Sequence, residues 1–149
     1  MRPSAGASPL GLDNRPLALE PFADTTDKMT RTLRLLLLAE AATFVLAALI
    51  HSGRLVAGYT HHAARIAETV IALVLLAGAA VGWVRPAWAA RAAVLAQGFA
   101  LLGTLVGLLT IAVGVGPRTV PDVAYHVAIV IVLAYGLRLA RRATSRATP

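Results

Sequence analysis

The chain contains no cysteine. That single absence removes disulfides, thiolate metal sites, iron–sulfur ligation and cysteine nucleophiles together. Charge is also scarce: 14% of the residues are charged, where a soluble domain carries about 25%. Lysine is nearly missing, at one residue against thirteen arginines. The opening residues lack the basic-then-apolar order of a secretory signal peptide. No RNA- or DNA-binding motif accompanies the net charge of +7, and the basic residues lie at the ends of apolar stretches rather than in one patch. That distribution speaks against a nucleic-acid partner and for a membrane protein, which keeps arginine and lysine in its cytoplasmic loops.

What is abundant is apolar surface. Of the 149 residues 58% are hydrophobic, and mean hydropathy is +0.72. This exceeds an ordinary soluble core and points to the lipid bilayer as solvent. Residues 1–29 are polar and interrupted by Pro3, Pro9, Pro16 and Pro21, which reads as a disordered cytoplasmic tail. Four apolar stretches follow, at about 33–50, 63–84, 92–113 and 123–139. Each is 17 to 22 residues long, near the roughly 20 that a helix needs to cross about 30 Å of hydrocarbon. Strands are excluded because an open sheet edge has no hydrogen-bond partner in lipid. Glycine and proline mark the three loops, at Gly53 and Gly58, at Arg85-Pro86 and at Gly114 to Pro117. The expected fold is therefore all-α: a polytopic, antiparallel four-transmembrane-helix bundle over 30–141, with a short basic tail at 142–149.

Orientation follows from charge. Arg2, Arg15, Lys28, Arg31, Arg34, Arg85, Arg91, Arg138, Arg141, Arg142 and Arg146 fall on one side of such a bundle. Only Arg54, Arg65 and Arg118 fall on the other, and this bias puts both termini in the cytoplasm of a bacterial cell. Helix association in lipid relies on close packing of small residues. Gly78/Gly82 and Gly103/Gly107 form two Gly-x-x-x-Gly faces. They suit packing between neighbouring helices first, and a homo-oligomer or membrane-protein partner second. Arg34 to Glu40 and Arg91 to Gln97 share three of seven identities, the trace of two helical hairpins in parallel repeat.

Ionisable residues within apolar spans are functional candidates by default. Glu40 lies six residues beyond Arg34, about 9 Å further along the axis. It should face the interior, protonated or paired, and Gln97 occupies the matching depth on the third helix. A second concentration lies at the opposite membrane face. His51 ends the first helix, His61, His62, Arg65 and Glu68 open the second, and Asp122, Tyr125 and His126 open the fourth. One reading is structural: imidazoles among headgroups, an Arg65–Glu68 pair, and a capping box over Thr119 to Asp122. The other makes His51, His61, Glu68 and His126 a site for a transition metal, haem or a quinone. Arg65, Asp122 and Tyr125 would support it, with the Asp122 carboxylate orienting His126. His62 points about 100° off the stripe of His61, Arg65 and Glu68. The Glu-x-x-His signature of carboxylate-bridged di-iron bundles is missing.

Ala39-Glu40-Ala41, His51-Ser52-Gly53, and Gly116-Pro117-Arg118-Thr119 ahead of Asp122 and Tyr125-His126 resemble a class of small bacterial four-helix membrane proteins. The likeness covers roughly residues 30–140, and the chain is similar to DoxX-type proteins in size and helix count only. The resemblance implies the fold and no assigned activity or catalytic residue. Three function classes stay open: a non-enzymatic accessory or partner-binding component of the cytoplasmic membrane; a redox, metal, haem or quinone protein using the outer histidines; and a small proton-coupled transporter using Glu40.

Overall fold

The computed structural model describes residues 20–146. Most of the expected N-terminal tail, residues 1–19, and the last three residues of the C-terminal one lie outside the described residues. Four long helices follow one another: α1 (Glu20–His51), α2 (His62–Val84), α3 (Ala89–Ala112) and α4 (Val120–Arg146). A single 3-10 turn at Pro86–Trp88 joins α2 to α3, and no strand occurs among the described residues. Four segments are long and apolar enough to cross a membrane: Asp27–His51, His62–Val84, Pro86–Ala112 and Val120–Arg146.

Two helices run further than their hydropathy. The expected tail ended at residue 29, yet α1 begins at Glu20. The basic tail was expected from 142, yet α4 continues to Arg146. Hydropathy marks where hydrocarbon would end, whereas a helix stops only where its hydrogen bonding stops. Pro21 falls in the first turn of α1, where its missing N–H has no intrahelical partner to lose. The extensions also pack: Met29 and Ala143 lie against the core. Arg146 in the last turn of α4 meets the negative end of the helix dipole.

The core combines a few large side chains with many small ones. Leu33, Leu37, Phe44, Ile71, Leu75 and Leu133 interdigitate with Ala41, Ala72, Ala79, Ala93, Ala96, Ala100 and Ala140. Alanine and glycine let helices approach closely, which raises dispersion contact where no hydrophobic drive separates protein from lipid. Gly78 faces Ala96 of α3 and Leu37 of α1, and a Cβ there would stand 2.8 Å from the Ala96 Cβ. Gly82 faces Ala89 and Arg34, Gly103 faces Ile71, and Gly107 faces His126. All four glycines of the two patterns thus meet side chains of the same chain. α1 packs chiefly on α2, α2 also on α3, and α3 on α4. The seam between α1 and α4 is the more open one. Outward, Leu35, Leu73, Leu95, Leu102, Leu109 and Ile131 are each more than half exposed.

Candidate functional site

Two glycines shape one end of the molecule. Gly53 and Gly58 have φ of 74° and 78°, a backbone region that side chains with a Cβ avoid. They fold residues 52–61 back over the end of α1. Ser52 bridges to Thr60, and the His61 N–H donates to the His51 carbonyl at 2.9 Å. The folded loop lays the Tyr59 ring on the His51 imidazole, with centroids 5.5 Å apart and planes 26° from parallel.

His51 is 4% exposed and stands between two carboxylates. Its Nδ1 is 2.8 Å from Glu68 Oε2 on α2, and its Nε2 is 3.4 Å from Asp122 Oδ1 on α4. The first contact is a hydrogen bond; the second is at ion-pair distance only. Glu68 and Asp122 are buried with it. Glu68 thus gives Nδ1 a hydrogen-bonding partner, and Asp122 stands near the opposite edge of the ring.

Asp122 is held by the start of its own helix. The Thr119 N–H donates to Asp122 Oδ2 at 3.2 Å, and the Asp122 N–H donates to Thr119 Oγ1 at 3.4 Å. This is the reciprocal pattern of a capping box, which satisfies two otherwise orphaned helix donors. The Thr119 and Tyr59 hydroxyls donate to the same Oδ2. Three donors thus occupy one oxygen and leave Oδ1 for His51. Burial, followed by the neighbouring Asp122 and Glu68 carboxylates, pushes the Tyr59 phenol above its ordinary value, which keeps it a donor.

Two expected pairings are replaced. Arg65 does not meet Glu68: its Nη2 is 2.9 Å from His62 Nδ1 at the surface, while Glu68 reaches inward to His51. A buried carboxylate gains more from a partner across helices than from an exposed one on its own. The Asp122 carboxylate does not orient His126 either, because it folds back over the helix start. His126 Nδ1 bonds the Asp122 backbone carbonyl at 2.8 Å instead. A carbonyl only accepts, so Nδ1 is the donor, and Nε2 faces Gly107. His61 has a capping role, its Nδ1 accepting from the Ala64 N–H at 3.3 Å.

Of the four residues expected to gather, His51 and Glu68 are in direct contact. The His61 ring stands 6.2 Å from that of His51, edge to face. His126 lies apart, on the other side of Glu68, where it shares a cleft of about 220 Å³ with His61, Glu68 and Thr104. Among the described residues no three His, Asp or Glu side chains are arranged to hold a metal ion. The reason is visible at His51, whose two carboxylates lie on opposite edges of the ring instead of converging on one point.

A larger cleft of about 610 Å³ follows the α1–α4 seam. Leu46, Ala47, Ile50, Val56 and Pro121 make its apolar walls; His51, Tyr59, Thr119 and Asp122 make its polar end. Tyr125 lines it as well and packs edge-on against Phe44. Tyr59 is the member that residue patterns alone did not single out, whereas Thr119 was legible as the start of the capping box. The only trace of Tyr59 was its position beside a loop glycine, Gly58.

The deep polar pair is separate. Gln97 Nε2 donates to both oxygens of Glu40, at 3.1 and 3.3 Å, and both residues are at most 1% exposed. Gly136 of α4 makes room for the amide: a Cβ there would fall 2.3 Å from Gln97 Nε2.

The chain matches no family model, no curated protein and no solved structure. Its reading rests on its own residues: four apolar helices, consistent with a small membrane protein, and one polar constellation at the end of a cleft.

Proposed function

We propose that this chain is an antiparallel four-helix bundle in the bacterial cytoplasmic membrane, both termini inside, whose α1–α4 cleft binds the ring head of a quinone-class lipid. The membrane part is supported by the large exposed apolar side chains around the helices and by the charge bias toward one end. The antiparallel part is supported by matched contacts running in opposite senses along the chain: Arg34 with Gly82, Leu37 with Gly78, then His51 with Glu68.

One observation carries the ligand: an apolar-walled cleft on the open seam ends in Tyr59, Asp122 and His51. A quinone is a flat ring with two hydrogen-bonding oxygens on an apolar tail. Its carbonyl would accept the Tyr59 hydroxyl proton that otherwise goes to Asp122, and the hydroxyl of its reduced form would donate to Asp122. The two forms differ by two electrons and two protons, and the chain is given no part in that conversion; His51, held by Glu68, lines the polar end that meets the ring head. The tail leaves between α1 and α4 along Leu46 and Val56. The activity proposed is binding; no redox reaction is assigned to the chain.

The alternatives have less geometry behind them. A metal or haem needs converging donors, whereas both nitrogens of His51 already face carboxylates. Transport through Glu40 needs an approach to it, and the two outer clefts stop short of that residue.

Protein purified in mild detergent should carry extractable quinone. It should also bind a decyl-chain benzoquinone with a Kd on the order of micromolar, about −8 kcal/mol. Leu46→Trp, at an exposed position on the cleft wall, should abolish binding without loss of fold. Quinone-free protein from quinone-replete cells, together with no calorimetric signal, overturns the ligand. Reporter fusions at the C terminus and near Gly58 should give opposite signals; equal ones overturn the topology.

A further inference from the structure

The outer end of the bundle has an uncompensated positive charge. Among the described residues the acidic ones at this end are Glu68 and Asp122, and both are buried around His51. Three arginines share the end with them. Arg118 has a structural task, since its Nε and Nη2 donate to the Ile111 and Ala112 carbonyls, closing the C-terminus of α3. Among the described residues Arg54 and Arg65 face no carboxylate. Arg65 contacts only the neutral-capable ring of His62, and Arg54 donates no side-chain hydrogen bond among the described residues.

Both guanidinium-bearing residues line one cleft of about 340 Å³ between α1 and α2. Below them its walls are apolar, with Val45, Leu49, Leu73 and Leu76 descending along the two helices. Leu73 is 60% exposed, so this wall is open to whatever surrounds the bundle. The cleft is distinct from the quinone cleft, which lies on the opposite flank of α1.

We infer that this cleft is a binding site for an anionic phospholipid of the outer leaflet, with its phosphate between Arg54 and Arg65 and one acyl chain against Leu49 and Leu73. Two guanidiniums above an apolar groove match a phosphate above a hydrocarbon chain in both charge and order. Arginine on this side runs against the usual charge bias of membrane proteins, and a bound phosphate gives both side chains a partner. The inference rests on the membrane reading but not on the quinone.

The test uses the full chain in mild detergent. Thermal stability is followed while phosphatidylglycerol, phosphatidylcholine of the same acyl chains, or inorganic phosphate is added. Phosphatidylglycerol should stabilise at concentrations at least tenfold below phosphatidylcholine, and inorganic phosphate should do little. Arg54→Gln and Arg65→Gln should each weaken the preference about fivefold, and the double variant should erase it. Leu73→Trp, at an exposed position, should weaken binding of phosphatidylglycerol while the fold stays intact. Equal response to the two lipids, an unchanged preference in the double variant, or full stabilisation by inorganic phosphate overturns the site. Release of the protein from membranes by alkaline carbonate would instead overturn the membrane reading.

Discussion

The molecule holds two buried polar constellations, and they are built differently. Glu40 and Gln97 form a closed pair, one carboxyl and one amide, sealed among leucine and alanine side chains. His51, Glu68, Asp122 and Tyr59 form an open chain of four with a cleft on each side. A buried glutamate serves in both. What differs is reach: the closed pair has nothing to exchange with, and its use is to tie α1 to α3. The open chain is flanked by two clefts. Burial of a polar group is therefore not enough to nominate a site; burial beside a cleft is what the proposed function draws on.

The comparison breaks most visibly at the closed pair. Glu40→Lys puts a cation against the amide donors of Gln97 with no carboxylate nearby, and no water can reach it. A loss above about 4 kcal/mol is expected, a large part of the 5–15 kcal/mol that typically holds a fold together. Glu40→Gln keeps size and hydrogen bonding and should accumulate normally. The measurement is membrane accumulation and detergent melting of both variants. Normal accumulation of Glu40→Lys would show that the pair is not sealed.

The open chain should respond less. His51→Ala leaves Glu68 and Asp122 facing each other without their shared partner, a loss of about 3 kcal/mol when a buried pair is broken. The flanking clefts leave the two carboxylates room to move apart, which brings the cost below that of Glu40→Lys. Reversal of that order, with His51→Ala the more damaging, would mean that the outer chain is the structural one.

Gly136→Ala tests the closed pair from the side. The new Cβ would lie 2.3 Å from Gln97 Nε2 and 2.8 Å from Leu36 Cδ2, so the amide must move off Glu40. A loss of about 1–3 kcal/mol follows from such overpacking. On a Gln97→Ala background, which bears its own loss from the unpaired Glu40, Gly136→Ala should add little, since the crowded side chain is then gone. An additive double variant would separate Gly136 from the pair.

The two regions also differed in how far residues alone revealed them. Glu40 and Gln97 could be matched because depth along two helices is fixed by residue count, and a buried carboxyl in an apolar span needs a partner. The reciprocal cap of Thr119 and Asp122 is local, four residues long, and so was legible as well. The pairings of Glu68 and His126 were not. Spacing along one helix suggested Arg65 and the Asp122 carboxylate, but rotation of α2 turned Glu68 toward His51, and the cap claimed the Asp122 carboxylate. Tyr59 was hidden for a further reason: it sits on a loop whose path depends on the positive φ of Gly53 and Gly58. Helix ends were misplaced because α1 and α4 continue past the apolar stretch, at Met29 and Ala143, into a polar zone where helical hydrogen bonding persists.

Tyr59→Phe is the mildest change and the one that separates holding from binding. It removes one hydroxyl and keeps the ring that stacks on His51. Asp122 Oδ2 retains the Thr119 N–H and hydroxyl, so it is not left unsatisfied. The fold should therefore lose only about 1 kcal/mol, the net worth of an ordinary hydrogen bond. Quinone binding should fall more, about tenfold or 1.4 kcal/mol, because the hydroxyl is the donor nearest the polar end of the cleft. Tyr135→Phe is the control: that residue is 64% exposed on α4 and does not line the cleft. Calorimetry with the decyl-chain benzoquinone and melting of the same samples give both quantities. A Tyr59→Phe variant that melts lower yet binds as tightly as the parent would make Tyr59 a brace for Asp122 and remove it from the ligand's hydrogen-bonding set.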